Sequence, residues 1–143
     1  MNITRMRRLA VLGASVLFAG AATVASAPSA EAVSVYEGAA VCGAGYSFVA
    51  HQALELGVAW IQLTRNSATG EYCVSVYRTD SKLGVVAYPM QAYLLARGAS
   101  AAKVNAGSFK YYAGPVYVKA TCVVWGGKFN SASYYSAWTG SGC

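Results

Sequence analysis

A strand–turn–strand pattern in the middle of the sequence constrains the fold more than any other feature. Val58–Thr64 and Tyr72–Arg78 are rich in β-branched and aromatic residues and flank the polar segment Arg65–Gly70. This pattern predicts a β-hairpin with a longer loop. Because side chains alternate between the two faces of a strand, the second strand is expected to place one set of side chains opposite another. The first set is Tyr72, Val74 and Val76, and the second is Cys73, Ser75 and Tyr77.

The rest of the chain carries further short strand signals separated by Gly, Asn and Ser. Val116–Lys119 and Thr121–Trp125 predict a second β pair, closed by Gly126-Gly127, and Val85–Tyr88 is expected to be extended. Met90–Ala96 has fair helix propensity but is short, and we assign it as a strand. Short strands with turn signals at regular intervals predict an all-β domain, a small antiparallel β-sandwich or barrel.

The N-terminal segment has the three parts of a secretory signal. Arginines in the first eight residues precede the uncharged run Leu9–Ala27, and Ala30-Glu31-Ala32 supplies a small-residue cleavage site. The earlier site, Ala25-Ser26-Ala27, is followed by proline, which suits a peptidase-bound extended strand poorly. The alternative is an uncleaved membrane anchor, but the run is weakly hydrophobic. The sequence thus predicts a signal peptide over residues 1–32 and a single β domain over residues 33–143, with no membrane span after cleavage.

The positive charge of the chain falls when this leader is removed. The whole sequence has a formal net charge of +6, whereas the predicted mature chain of 111 residues has eight basic and four acidic side chains, a net charge of +4. The basic residues are scattered and never form a run. Nucleic-acid binding needs a clustered basic surface, so scattered charge and predicted export together exclude nucleic acid as the expected partner.

All four cysteines lie in the predicted mature chain. An even number in an exported protein indicates two disulfides, for which three pairings are possible. We favour Cys42–Cys73 with Cys122–Cys143, because each bridge then ties a local unit and the second pins the chain end. A metal site is the alternative. It is disfavoured because no C-x-x-C spacing occurs and His51 is the only histidine.

The search for catalytic groups finds no specific signal. His51 and Asp80 could be combined with a serine, but the nucleophile-elbow pattern is missing, and His51–Glu55 is expected to be a surface turn or short helix. Glu71 and Asp80 bracket one predicted strand and so lie at its opposite ends, unlike the paired carboxylates of a glycosidase. No phosphate loop, dinucleotide fingerprint or zinc motif occurs. The sequence therefore predicts no catalytic residues, no cofactor and no metal.

Aromatic residues are the more informative feature. In the adjacent pairs Tyr111-Tyr112 and Tyr134-Tyr135, one member is expected to point away from the core if the pair lies in a strand. Exposed Tyr and Trp, with lysines nearby, make a surface suited to an anionic wall polymer; the alternative is that most tyrosines simply cap the core. The candidate binding residues are Trp60, Tyr111, Tyr112, Trp125, Tyr134, Tyr135 and Trp138.

Four segments resemble the spore-associated protein A family. These are Val41-Cys42-Gly43-Ala44-Gly45-Tyr46, Gly70-Glu71-Tyr72-Cys73-Val74, Tyr112-Ala113-Gly114-Pro115-Val116-Tyr117-Val118 and Cys122-Val123-Val124-Trp125-Gly126-Gly127. The resemblance covers most of the chain and implies a small protein exported from the aerial hyphae of sporulating filamentous bacteria and found on the spore. It implies no catalytic activity and supplies no catalytic residues.

These observations favour a secreted, non-catalytic structural protein of the spore surface or cell envelope, whose partner is a wall polymer that includes polysaccharide. Two alternatives remain open. One is a secreted carbohydrate-binding module with Trp60, Trp125 or Trp138 as the stacking platform. The other is a secreted protease inhibitor, because a small disulfide-linked β domain can hold a rigid reactive loop.

Overall fold

A computed structural model describes residues 38–143 of the chain, which form a two-layer antiparallel β-sandwich. The predicted signal peptide, residues 1–32, lies outside the described residues. A short helix and eight strands are described in chain order: α1 Gly38–Cys42, β1 Tyr46–Leu54, β2 Ala59–Asn66, β3 Glu71–Arg78, β4 Tyr88–Ala96, β5 Lys103–Phe109, β6 Tyr112–Lys119, β7 Val123–Phe129 and β8 Ala132–Tyr135. A single turn at Glu55–Gly57 joins β1 to β2. The all-β prediction is confirmed.

The strands divide into two sheets of four. Sheet A has the order β1-β2-β3-β6 and sheet B the order β5-β4-β7-β8, with every neighbouring pair antiparallel. The two layers enclose one hydrophobic core. Sheet A contributes buried side chains such as Ile61, Leu63, Val74 and Val76, and sheet B contributes Met90, Leu94, Trp125 and Phe129. Fully burying each large aliphatic side chain contributes about 1.5–3 kcal/mol, so this core supplies the main favourable free energy of folding.

The predicted central hairpin is confirmed as β2 and β3. Asn66 organises the loop, because its side-chain Oδ1 accepts hydrogen bonds from the backbone amides of Ala68 and Thr69 at 3.0 and 3.2 Å. Gly70 then turns the backbone at a φ of +74°, a conformation that glycine adopts without strain. As expected, Tyr72, Val74 and Val76 of β3 face the core. Ser75 faces the other way and is paired with Gln62 of β2.

The predicted pairing of Val116–Lys119 with Thr121–Trp125 is wrong. The first segment belongs to β6 and pairs with β3 in sheet A, whereas the second contributes to β7 and pairs with β4 in sheet B. Turn signals between two strands indicate where the chain changes direction, but they do not specify which strands pair. Gly126 and Gly127 do not close a hairpin either, since both lie inside β7.

Two local assignments also need correction. Val85–Tyr88 is not extended as a unit: the amides of Val85 and Val86 both donate to the carbonyl of Lys82 in a turn, and the strand begins only at Tyr88. His51 lies within β1 rather than in a turn or helix, because its strand pairs with β2 as far as Leu54. The assignment of Met90–Ala96 as a strand is confirmed by β4.

Both disulfides have the favoured pairing. Cys42 is bonded to Cys73, and Cys122 to Cys143. Cys73 points away from the core, so the first bridge holds α1 against the outer surface of sheet A, where the helix packs on β1, β2, β3 and β6. Tyr117 reinforces this position by donating a hydrogen bond of 3.0 Å to the carbonyl oxygen of Cys42.

Candidate functional site

The outer face of sheet A combines aromatic residues with a buried polar centre. Facing outward next to one another are Gln62 and Ser75, which are 1% and 0% exposed. Trp60 lies beside them, and its ring makes an edge-to-face contact with the His51 ring at a centroid distance of 4.9 Å. With α1 bonded across the same face through Cys42–Cys73, much of this surface is unavailable to a partner.

Burial on this side also changes the acidity of its tyrosines. Burial, together with a hydrogen bond donated to the Glu71 carboxylate, raises the pKa of Tyr46 to about 12. Burial raises the pKa of Tyr77 to about 12. Both phenols therefore stay protonated well above neutral pH.

The outer face of sheet B differs, because none of the elements described between Gly38 and Cys143 packs over it. Two rows of side chains run across all four of its strands. An aromatic–apolar row consists of Val104, Tyr93, Gly126 and Tyr135, and a polar row consists of Ala106, Gln91, Lys128 and Ser133. We refer to these two rows together as the sheet B face.

The aromatic row is built around a glycine. The rings of Tyr93 and Tyr135 meet edge to face at a centroid distance of 5.0 Å, and Gly126 lies between their strand positions. A Cβ atom at Gly126 would come within 2.2 Å of the Tyr134 carbonyl oxygen and 2.9 Å of the Tyr135 ring. Only glycine therefore lets Tyr135 occupy this position, where it is 43% exposed.

The polar row borders an open groove with a volume of about 300 Å³. Its polar side chains are Gln91, Ser108, Lys128 and Asn130, and Pro89 and Ala106 supply apolar surface. The side-chain amide of Gln91 also reaches the hydroxyl of Tyr135 at 3.5 Å, which links the groove to the aromatic row. No carboxylate lines the groove, so its formal charge comes from Lys128.

The residues chosen from sequence do not form one surface. Trp125 is only 4% exposed and therefore cannot act as a stacking platform, and its ring packs against that of the half-buried Tyr134 at a centroid distance of 5.5 Å. Trp125 faces inward because β7 alternates and its odd-numbered residues meet sheet A. The expectation that one member of the Tyr134-Tyr135 pair points outward is confirmed by Tyr135.

The remaining candidates are dispersed over the molecule. Trp60 lies half-buried on sheet A, and Tyr112 points outward from the same sheet at 40% exposure. Tyr111 lies in the turn before β6, and Trp138 follows β8 at 46% exposure.

Sequence reasoning missed Tyr93, Gln91 and Val104. The signal for the first two was present, because alternation along β4 places both opposite to the buried Met90 and Leu94. The alignment of Val104 with Tyr93 could not be read from the sequence, since it depends on the register between strands.

The side chains considered for catalysis have separate partners. The His51 ring contacts Phe48 and Trp60, whereas the Asp80 carboxylate accepts hydrogen bonds from Arg78. Within residues 38–143, no three His, Cys, Asp or Glu side chains are grouped closely enough to hold a metal ion. In the same part of the chain, no helix is both long and apolar enough to cross a lipid bilayer.

Fold and surface together define a small disulfide-linked β-sandwich with one aromatic sheet face left open. The sequence is 38% identical over 126 residues to spore-associated protein A from Streptomyces coelicolor, an alignment that spans 85% of this chain and 75% of that protein. The chain therefore belongs to the spore-associated protein A family. It matches no protein-family model and no solved structure.

Proposed function

We propose that this is an exported, non-catalytic structural protein that attaches to the spore surface or cell envelope. A relative named for its association with spores supports the location. The observation that carries the attachment is the sheet B face, in which an aromatic row and a polar row run side by side and remain accessible.

This face suits an extended wall polymer that contains sugar units. Tyrosine rings offer flat amphipathic contact area to the apolar side of a sugar ring, at low conformational cost. The adjacent polar row offers the amide of Gln91 and the hydroxyl of Ser133 to sugar hydroxyls, and Lys128 can pair with an anionic substituent. Because both rows cross the whole sheet, a chain-like ligand can contact several strands at once.

A second candidate is a carbohydrate-binding module that recognises soluble polysaccharide. The groove beside the polar row favours it, since Ser108, Gln91 and Lys128 converge there on a space of about 300 Å³. The tryptophan platform expected from sequence does not include Trp125, which is buried. Tyr93 and Tyr135 take its place as the stacking surface in this version.

Fractionation of a sporulating culture tests the proposal. Antibody detection should find the protein with washed spores rather than free in the medium. The exported protein, with its disulfides intact, should also sediment with isolated spore walls, and soluble wall fragments should release it. The same protein after reduction and unfolding is the control and should not bind. Protein found only in the medium, with no sedimentation on walls, would overturn the proposal, and inhibition of a co-secreted protease at equal stoichiometry would replace it.

A further inference from the structure

The two most exposed large apolar side chains in the described chain, Leu56 and Val85, lie at one end of the sandwich. Leu56 lies in the β1–β2 turn and is 107% exposed, and Val85 in the β3–β4 loop is 74% exposed. Val86 is 42% exposed, and Tyr111, in the β5–β6 turn, is 36% exposed. We call this region the loop end and define it as residues 55–58, 79–87 and 110–111. Soluble proteins seldom concentrate aliphatic side chains at a protruding tip without a binding role.

Direct hydrogen bonds join the three segments of the loop end. The Thr79 hydroxyl donates to the carbonyl oxygen of Gly57 at 2.9 Å, and the Thr79 amide donates to that of Val58 at 3.0 Å. The amide of Gly84 donates to the carbonyl oxygen of Lys110 at 3.3 Å. The exposed apolar residues therefore stand on one connected surface and not on independent loops.

A fully buried arginine fixes this surface from beneath. Arg78 is 0% exposed, and its Nη1 donates to the carbonyl oxygens of Val86 at 2.5 Å and Lys110 at 2.9 Å. Its Nη2 pairs with the Asp80 carboxylate at 2.6 Å, and the guanidinium lies over the Tyr88 ring at 4.4 Å. Since one side chain binds two segments of the loop end, their relative position is set in advance of any partner.

The backbone that presents Leu56 is strained. Glu55 and Leu56 have φ angles of 43° and 56°, and Gly57 follows at 89°. Leucine rarely adopts the left-handed region, where glycine or asparagine fits without penalty. A strained residue that keeps an aliphatic side chain completely in solvent points to a functional use of that side chain.

The charged side chains of the loop end indicate the chemistry of its partner. Lys82 and Lys110 are exposed at the loop end, and of its two carboxylates only Asp80 is paired with a cation, Arg78. Glu55 accepts a hydrogen bond at 3.2 Å from the side-chain amide of Asn130, which is neutral and does not offset the charge of the carboxylate. Because Arg78 and Asp80 offset each other, the two lysines exceed this one carboxylate, and the charge around the protruding aliphatic tips is net positive. This combination of shallow apolar insertion and basic flanks matches the interface of a lipid bilayer with anionic headgroups. A protein partner would need a concave receptor for Leu56, whereas lipid adapts to a convex tip.

We propose that the loop end binds the surface of an anionic lipid bilayer by inserting Leu56, Val85 and Val86 between the headgroups. This attachment is peripheral and separate from the wall attachment assigned to the sheet B face. It gives the molecule two contacts of different chemistry, an aliphatic tip for lipid and an aromatic face for polymer.

Vesicle co-sedimentation tests this proposal. The probe is an equimolar mixture of phosphatidylglycerol and phosphatidylcholine, with pure phosphatidylcholine for comparison. The exported protein should bind the mixed vesicles and bind the neutral ones more weakly. The double variant Leu56→Ser/Val85→Ser should bind the mixed vesicles about tenfold more weakly, because two inserting side chains are lost. Lys82→Gln/Lys110→Gln should remove the preference for the anionic mixture.

The matched control is Val104→Ser, which removes a side chain of 50% exposure from the sheet B face. It should leave vesicle binding unchanged. The Leu56→Ser/Val85→Ser variant should keep its binding to isolated spore walls, so that failure here is distinct from failure of the proposed function. Equal vesicle binding by wild type and this variant, or no binding by wild type, would overturn the proposal. Concentration-dependent dimerisation that the variant loses, without vesicle binding, would assign the loop end to a second copy instead.

Discussion

The outer faces of the two sheets both consist of alternating side chains from four strands, but they differ in how far those side chains are exposed to solvent. On sheet A, the bond between Cys42 and Cys73 holds α1 across the strands, and outward polar side chains such as Gln62 and Ser75 are buried. On sheet B, Lys128 and Tyr135 remain exposed. A polar or aromatic side chain that points outward therefore forms a binding surface only where no other element covers it.

The burial of polar side chains on sheet A has a cost in free energy. Thr64 satisfies its hydroxyl with the carbonyl oxygen of Cys73 at 3.3 Å, but Gln62 Oε1 and Ser75 Oγ have no hydrogen-bond partner. Each buried, unsatisfied polar atom costs about 1–3 kcal/mol. The burial of these polar atoms on the outer face of sheet A is therefore a cost to the free energy of folding, whereas Lys128 and Tyr135 on sheet B stay in contact with solvent.

Removing the bridge that covers sheet A should have the largest effect on stability. For Cys42→Ala/Cys73→Ala, a loop closed over 31 residues is lost, which should lower the free energy of unfolding by about 3 kcal/mol. The loss should be about 1 kcal/mol greater than for Cys122→Ala/Cys143→Ala, because only the first change also frees the Cys42 carbonyl that Tyr117 binds. Urea unfolding at neutral pH measures both. A smaller loss for the first pair would contradict the role given to α1.

A methyl group in the middle of the sheet B face should have the next largest effect. Gly126→Ala places a Cβ against the Tyr134 carbonyl oxygen and the Tyr135 ring, which should destabilise the protein by about 2 kcal/mol. The control is Gly107→Ala in the edge strand β5, where the nearest atoms belong to the Phe109 ring at 3.3 Å. That change should cost less than about 1 kcal/mol. Equal losses in thermal or urea unfolding would mean that the spacing of the aromatic row is not tightly constrained.

The free energy of unfolding should fall at alkaline pH because of the tyrosines with raised pKa values on the outer side of sheet A. The pKa of Tyr46 rises from 10.0 to about 12 on folding, so the folded protein holds a proton that the unfolded chain releases. Its contribution to stability is complete below pH 10 and is lost as the pH rises towards 12. Tyr46→Phe should therefore flatten this decline in the free energy of unfolding, and Tyr77 and Tyr117, whose pKa values burial also raises, should account for the remaining slope. An unchanged slope in the variant would show that Tyr46 does not titrate in this way.

The smallest effect is expected for the single cation of the groove. Lys128→Gln should change stability by less than about 0.5 kcal/mol, because Lys128 is exposed. It should weaken binding to spore walls about threefold, the size of one solvent-exposed ion pair, and reduce the sensitivity of binding to salt. Lys119→Gln at the end of β6 in sheet A is the control and should bind as wild type does.

The sequence was sufficient for the features that depend on local pattern. Alternation and turn residues identified the β2–β3 hairpin and the β4 strand, and the disulfide pairing followed from tying neighbouring units together. What it could not supply is strand order. Because Val116 pairs with Val74 across 42 positions and Gly126 lies between Tyr93 and Tyr135, both the assignment of β6 and the sheet B face depend on long-range register.

One of the candidate binding residues, Trp125, was placed on the wrong face for a related reason. Adjacent aromatic residues guarantee that one of them points outward, as Tyr135 does, but an isolated Trp carries no such information. Trp125 resembled a surface platform in sequence and is a core residue, because the face on which it lies is set by the pairing of β7 with Leu94 of β4. The packing of α1 on the outer face of sheet A could not be predicted either, because no local sequence pattern shows what packs over a strand.

The most direct test compares one tyrosine from each face. Tyr135 on sheet B and Tyr112 on sheet A are 43% and 40% exposed, so Tyr135→Ser and Tyr112→Ser remove the same side chain at matched accessibility. Sedimentation with isolated spore walls is the measurement. We predict that Tyr135→Ser lowers wall affinity about tenfold, as expected for the loss of an aromatic contact, and that Tyr112→Ser binds as wild type does. Equal affinity for the two variants, or a greater loss for Tyr112→Ser, would contradict the assignment of wall attachment to the sheet B face.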